Sequence, residues 1–350
     1  MGIFTKKVSE NRKDGAKCDT IKRYTVIKEP PRQYGKCTRP EPLQGNELAC
    51  LQQVIAHFEG QNLASISAYG DQQASSETTK SIDWRPLSLR EKLWLSRERL
   101  LKFLRSVNWD VTLAIKRLEN TLQWRREFNL SAVDDETSSL SSLSQIVATE
   151  NETGKMYLLG YDRQRRPLLH IKPGRQNTAM SFAQIQLLVY MIECADILMA
   201  QGVETLTLLV DFKNYNELTP PLARLPPLSV SKQVLYIIQQ HYPETLGRAV
   251  LSSIPFYSWN FLKLFHPFLE PQTRSKLIFE EPFENYVDNS QLEILHNGQL
   301  DFSYDNDIYL SDLSHQISER ERNRFNKFLD LGARIGLSEF DLKDGHYVVD

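Results

Sequence analysis

The run Ile254-Pro-Phe-Tyr-Ser-Trp-Asn-Phe-Leu-Lys-Leu-Phe-His-Pro-Phe-Leu-Glu-Pro-Gln-Thr-Arg-Ser-Lys276 holds six aromatic side chains between Phe256 and Phe268. Polar groups interrupt that aromatic block only at Ser258, Asn260, Lys263 and His266. Tyr257, Phe261, Leu264, Phe265 and Phe268 follow the spacing of one helical face, which predicts a helix from Ser258 to Pro267. Trp259, Leu262 and Leu269 make a second row, so the helix is apolar far beyond one stripe. Such a helix either sits inside a protein core or covers something apolar that is not protein. Periodicity leaves both open.

The segments before it alternate in period. Met156–Tyr161 and Pro167–Ile171, joined by the polar turn Asp162–Arg166, read as a hairpin or two neighbouring strands. Ser181-Phe-Ala-Gln184 has the form of a capping box and opens a helical pattern through Ile185, Leu188, Val189, Ile192 and Leu198. Thr205–Val210 is a continuous apolar strand, as expected when both sheet faces are covered. A proline-rich loop (Pro220, Pro221, Pro226, Pro227) leads to a helix over Val230–His241. Ala249–Ile254 and Lys276–Phe279 complete a strand–helix alternation that predicts an α/β domain with a mainly parallel sheet.

Upstream the pattern is all helical. Glu47–Phe58 is one amphipathic segment. A capping box at Ser88-Leu-Arg-Glu91 starts another that continues through Leu93, Trp94, Leu100, Leu101, Phe103 and Leu104. Asp110 is the expected N-cap of the next, ending near Trp124. Asp71–Lys80 is polar and reads as a linker. A charged helix over about Ser318–Leu331 closes the chain and is expected to be exposed. The implied division is a basic flexible arm (1–40), a helical module (41–140), the α/β domain (141–300) and a C-terminal helical segment (301–350).

Composition narrows the function classes. The 350 residues are 41% hydrophobic and 25% charged, with net charge -2 and no apolar run long enough to span a bilayer. Met1–Lys6 lacks the apolar core of a signal peptide, and Lys6 stands where an acylation signal after Gly2 wants Ser or Thr. The four cysteines (Cys18, Cys37, Cys50, Cys194) are scattered, which argues against a disulfide framework or zinc site and for a reducing, cytoplasmic location. Residues 1–40 carry eleven Lys or Arg against four Asp or Glu, a net of +7, suited to an anionic lipid surface or to remaining a solvated tail. No nucleic-acid motif accompanies the arm. Glycine-rich phosphate loops, nucleophile elbows and His-Glu-x-x-His helices are missing, and the seven histidines have no metal-ligand spacing. Nothing points to catalytic residues, a metal or a cofactor.

His241-Tyr-Pro-Glu-Thr-Leu-Gly-Arg-Ala249, Lys263-Leu-Phe-His-Pro-Phe-Leu269 and Thr273-Arg-Ser-Lys276 occur in an order that strongly resembles the CRAL-TRIO lipid-transfer family. Leu100–Val111, Trp124-Arg125, Asp162–Pro167 and Val210–Lys213 extend the resemblance over about Leu87–Phe279. It is similar above all to phosphatidylinositol transfer proteins, in their non-classical, pleiotropic-drug-resistance branch. The resemblance implies a helical N-terminal module followed by a twisted, mainly parallel sheet with flanking helices and a mobile gate helix over an apolar cavity. Tyr257, Trp259, Phe261, Leu264, Phe265 and Phe268 would belong to that gate. It further implies that Glu244, Thr273 and Lys276 bind a phosphatidylinositol head group. Their chemistry fits, since a carboxylate accepts from two vicinal hydroxyls while ammonium and hydroxyl groups answer a phosphodiester.

Two departures from the family pattern matter. A basic pair that assists phosphate binding is replaced by Val107 and Asn108, which throws more weight on Lys276. Members that also bind phosphatidylcholine carry small hydroxyls where this chain has Leu206 and Leu208; an unpartnered phosphate there loses about 1 to 3 kcal/mol per group. The expectation is therefore a non-enzymatic carrier, associated peripherally with intracellular membranes, that moves phosphatidylinositol or presents it to lipid-metabolising enzymes. Weak or absent phosphatidylcholine binding goes with it. A phosphatidylinositol 4-kinase and a phosphatidylserine decarboxylase are the kinds of enzyme partner implied. The competing expectations are a lipid-sensing scaffold that recruits such an enzyme and a carrier of a sterol-like ligand.

Overall fold

A computed structural model of the chain describes residues 20–35, 38–59, 86–130, 140–179, 181–214 and 226–343. The polar linker at Asp71–Lys80, most of the proline-rich loop and the first 19 residues of the basic arm lie outside these. The second part of that arm does not fit a solvated tail. Strand β1 (Ile21–Arg23) pairs in parallel with a strand near the far end of the chain, and Val26 is buried in the main core.

Four helices build the N-terminal module: α1 (Gly45–Glu59), α2 (Leu89–Trp94), α3 (Arg97–Ser106) and α4 (Val111–Glu127). The capping box forms as expected, with Ser88 and Glu91 exchanging hydrogen bonds, and Asp110 caps α4 by accepting from the Leu113 N–H. The single helix expected from Ser88 to Leu104 is broken at Leu95–Ser96. Gly336 there donates its N–H to the Leu95 carbonyl, and Arg97 donates to that of Leu337, so the C-terminal segment bonds to the break. Leu100, Phe103, Leu104, Ala114, Leu118, Leu122 and Val54 form this module's core.

A helix that the serine-rich sequence concealed, α5 (Ser141–Glu150), leads into the second domain. Its elements are β2 (Met156–Tyr161), β3 (Pro167–Ile171), α6 (Phe182–Leu198), β4 (Leu206–Asp211), α7 (Leu228–His241), β5 (Leu246–Ser252), α8 (Phe256–Phe265), α9 (Pro271–Arg274) and β6 (Leu277–Phe279). The sheet order is β2-β3-β4-β5-β6; the first pair is antiparallel and the remaining three are parallel. This is the predicted α/β architecture. Ser181 starts α6 without a side-chain cap, so the second capping box does not form.

One sheet face packs on α6 and α7 through Leu169, Leu206, Ile185, Val189, Ile192 and Ile237. The other packs Leu168, Leu209 and Val250 on Phe283, Val287 and Leu292 of the following loop. Then β7 (Leu300–Phe302) receives β1, and α10 (Asn306–Asp330) runs back along the domain before the short α11 (Glu339–Leu342). The closing helix starts earlier than expected and is not simply exposed. Tyr309, Leu313, Ile317, Phe325 and Phe328 bury its inner face.

Candidate functional site

The aromatic run forms α8, two residues earlier than the periodicity predicts, and continues as a 3-10 turn over His266–Phe268. It is not core. Phe256 is 84% exposed, Leu264 50% and Phe268 49%, and Ser258 is the only buried residue among the helix's described side chains. The side chain of Phe265 lies outside the described residues. Tyr257 and Phe261 are half-buried, while Trp259 and Leu262 face the sheet. Beneath them lie Leu208, Val210, Ala249, Leu251 and Leu277. Leu208, Val210 and Leu277 keep partial exposure, so an apolar floor is only half covered by an apolar lid.

Both ends of the lid are tied by polar groups rather than by packing. At its start Ser253 takes a left-handed conformation (φ 56), and the Ile254 N–H donates to Glu280 Oε1 at 2.7 Å. At its end Arg274 donates to the carbonyls of Leu269 (2.8 Å) and Pro267 (3.1 Å). Gln239 on α7 donates to the Phe268 carbonyl at 3.1 Å, and Lys232 stands over the Phe268 ring. Between its ends the helix packs through Trp259 and Leu262, and the Trp259 ring lies 5.4 Å from that of Phe279.

Glu244 and Lys276 sit at the same edge of the sheet, just before the adjacent parallel strands β5 and β6. Their placement follows from local structure. Helix α7 ends at His241, Glu244 turns the chain in a left-handed conformation (φ 53), and the Thr245 carbonyl accepts from Leu206 as β5 begins. On the next strand the Lys276 N–H donates to the Thr273 carbonyl at 3.1 Å, and the Lys276 carbonyl accepts from Ala249 at 2.9 Å. Thr273 is therefore one turn away from Lys276 and half-buried.

A third charged group, which the sequence reading missed, completes this corner. Arg105, near the end of α3, donates through Nε to Glu244 at 2.5 Å and through Nη2 to Glu204 at 2.9 Å. Burial works against its charge, but the hydrogen bonds to Glu244 and Glu204 outweigh that and hold its pKa above the usual value. At the replaced basic pair neither residue brings a charge to this corner. Val107 is buried in the helical core and Asn108 turns the chain with φ 52, while Arg105 supplies the cation. The ammonium of Lys276 is held below the usual lysine value by burial, opposed by Glu244, with Arg166 and Arg105 pushing the same way as burial.

The Tyr-Pro-Glu turn is anchored residue by residue to the interior. His241 stacks on Trp124 (ring centroids 4.2 Å apart) and pairs with Thr121 at 3.0 Å. Tyr242 donates to Glu193 at 2.6 Å, and Arg125 holds that same carboxylate with two bonds of 2.6 and 3.0 Å. Glu193 stays ionised despite burial because Arg125 and Arg99 face it. Leu206 is buried against α6 and Leu208 is shared between that core and the floor under α8, so neither presents a hydroxyl. Among the described residues no cluster of His, Cys, Asp or Glu is arranged to hold a metal, and no helix is long and apolar enough to cross a membrane.

A half-open apolar floor, a tethered apolar lid and a charged rim define a lipid-binding fold, and the chain belongs to the CRAL/TRIO family. The CRAL/TRIO domain matches residues 151–298 and the CRAL/TRIO N-terminal domain residues 50–120. The chain is 41% identical over 350 residues to phosphatidylinositol transfer protein PDR17 of Saccharomyces cerevisiae, covering 99% of this chain and 97% of that protein. It is 42% identical over 260 residues to the CRAL-TRIO domain-containing protein C23B6.04c of Schizosaccharomyces pombe, covering 74% of this chain but 24% of that longer protein. Among solved structures, that of Sfh5 superposes with a TM-score of 0.47 at 13% identity, covering 80% of this chain and all of that one.

Proposed function

We propose that the protein is a non-enzymatic carrier that encloses phosphatidylinositol, moves it between membranes and presents it to lipid-metabolising enzymes. The observation that carries this reading is the corner at which Arg105, Glu244 and Lys276 converge beside the apolar floor under α8. The acyl chains lie on the floor, Glu244 accepts from inositol hydroxyls, and Lys276 and Thr273 answer the phosphodiester. Moving a two-chain lipid through water costs on the order of 20 kcal/mol at about 0.8 kcal/mol per methylene, so a carrier must cover both chains. A lid whose apolar groups already face outward exchanges cavity contacts for bilayer contacts at small cost.

Phe256, Leu264 and Phe268 on the lid and Tyr236 on α7 give the membrane an apolar contact, and Lys232 and Lys263 give it charge. The full-length similarity to a phosphatidylinositol transfer protein supports the same ligand. Leu206 and Leu208 leave a choline lipid's phosphate without partners, so phosphatidylcholine transfer should stay near background. The test is transfer of radiolabelled phosphatidylinositol between vesicles by the natural protein and by Glu244→Ala combined with Lys276→Ala. Loss of transfer with an unchanged circular dichroism spectrum is expected; retained transfer overturns the assignment.

A further inference from the structure

Arg166 ends the turn between β2 and β3, and its charge reaches Lys276. Its closest carboxylate is Asp162, at 4.0 Å from Nη1. That carboxylate is fully buried and already accepts from the N–H groups of Gln164 (2.8 Å) and Arg166 (3.0 Å) and from the Thr207 hydroxyl (2.8 Å). Among the described residues the guanidinium makes this one loose ion pair and donates no hydrogen bond. An arginine fork held half-buried without an acceptor suits a planar or tetrahedral oxyanion arriving from outside.

Its position is set by a glycine. Arg166 precedes β3, yet its guanidinium lies against Gly247 on β5, having crossed the intervening β4. A Cβ at Gly247 would stand 2.7 to 2.8 Å from Cζ, Nη1 and Nε of Arg166. Gly247 is not among the residues with positive φ, so a side chain here would act on the guanidinium, which would have to move aside, and not on the backbone. The pairing of β4 with β5 slips at this point: Leu206 faces Leu246 and the next residue, Thr207, faces Arg248. The neighbouring strand begins with Lys276, whose charge is felt together with those of Arg105 and Arg166. Arg105 is satisfied by two carboxylates. Lys276 and Arg166 are not, and two under-neutralised cations converge at one edge.

We propose that Arg166, seated by Gly247, is a phosphate-binding residue of the head-group site and clamps the phosphodiester together with Lys276. This rests on the phosphatidylinositol reading above. It also gives the glycine of the Tyr-Pro-Glu-x-x-Gly run a task, which is to let the guanidinium lie across β5.

The test compares Arg166→Ala, Arg166→Lys and Gly247→Ala with the natural protein and with the Glu244→Ala, Lys276→Ala double variant. Two quantities are read: capture of phosphatidylinositol from vesicles and binding of a neutral hydrophobic fluorophore to the apolar floor. Arg166→Ala should lose about ten- to a hundredfold in phosphatidylinositol capture, the scale of one charged hydrogen-bonding group, while fluorophore binding is kept. Arg166→Lys should recover part of the loss. Gly247→Ala keeps every charge but shifts the guanidinium off β5, and should lose part of the capture that Arg166→Ala loses. Equal loss of both ligands in all three variants, or full capture by Arg166→Ala while the double variant fails, overturns the proposal. Full capture by the double variant overturns the phosphatidylinositol reading, and this proposal with it.

Discussion

Helices α3 and α8 have the same length and opposite fates. In α3, Arg-Glu-Arg-Leu-Leu-Lys-Phe-Leu-Arg-Ser, seven consecutive residues from Glu98 to Leu104 are buried, three of them charged. In α8, Phe-Tyr-Ser-Trp-Asn-Phe-Leu-Lys-Leu-Phe, only Ser258 is buried among the described side chains. Apolar content therefore does not decide which element is interior. What decides it here is whether the polar groups find partners. Glu98 accepts from the Ser338 hydroxyl and the Glu339 N–H, and Arg99 pairs with Asp196 at 2.6 Å. The helix is locked between α6 and the C-terminal segment. On α8 the one buried polar group among the described side chains, the Ser258 hydroxyl, has no hydrogen-bond partner among the described residues, and the helix meets the sheet through Trp259 and Leu262.

The locked region is where substitution should cost most. Arg125 and Glu193 are both buried and doubly bonded, and Tyr242 shares the carboxylate. Glu193→Ala strands a buried guanidinium, so unfolding in urea should show a loss of about 3 to 5 kcal/mol. The Tyr-Pro-Glu turn should loosen with it, lowering phosphatidylinositol capture as well.

Lys102 sharpens the comparison because it is the unpaired exception in α3. It is 5% exposed, and burial pulls its pKa down to about 8 against the partial support of Asp196. At neutral pH the ammonium is charged in both the folded and unfolded chain, and the fold bears the cost of its desolvation. Lys102→Met should therefore raise stability, on the order of 1 to 3 kcal/mol. It should also remove a rise in stability that the natural protein gains between pH 8 and 10.5, where the folded amine is neutral and the unfolded one still protonated.

His241 makes the same point from the acid side. Burial, with Arg125 adding to it, lowers its pKa to about 3, so the fold holds it neutral against Trp124. The unfolded chain binds a proton below about pH 6.5. Its contribution is thus complete above pH 6.5 and is lost as pH falls from there toward 3. His170, lowered to about 4 chiefly by burial, adds to the same slope. Urea midpoints measured from pH 7 to pH 4 should fall, and His241→Phe should flatten that fall while keeping the stack.

These contrasts explain what was legible in the sequence. The order of the main strands and helices, the caps at Ser88 and Asp110 and the helix of the aromatic run follow from period and turn chemistry, which are local; that this helix covers a ligand is implied by the family resemblance alone. The break at Leu95–Ser96 is not, because apolar spacing runs unbroken across it and its partners are Leu337 and Gly336. The β1–β7 pair joins two three-residue strands from opposite ends of the chain, too short to carry a period. At the site, Glu244 and Lys276 stand out through their motif. Arg105 is hidden as an ordinary last-turn arginine of a helix, since its partners lie 139 and 99 residues away.

The smallest stability effects should come from the lid, and there they separate stability from rate. Arg274 holds the end of the lid with two hydrogen bonds to backbone carbonyls, and Glu280 holds its start with one. Pro267 and Glu280 are exposed and Leu269 is half-buried, although Ile254 itself is buried, so removing either side chain should cost about 0.5 to 1.5 kcal/mol. Yet these bonds hold the two ends of α8 over its floor. Arg274→Ala and Glu280→Ala should therefore open the lid more often, and stopped-flow release of a fluorescent phosphatidylinositol should quicken several-fold with little change in urea midpoint. A change in midpoint as large as that of Glu193→Ala, with unaltered release, would mean that the hinge bonds serve the fold rather than the lid.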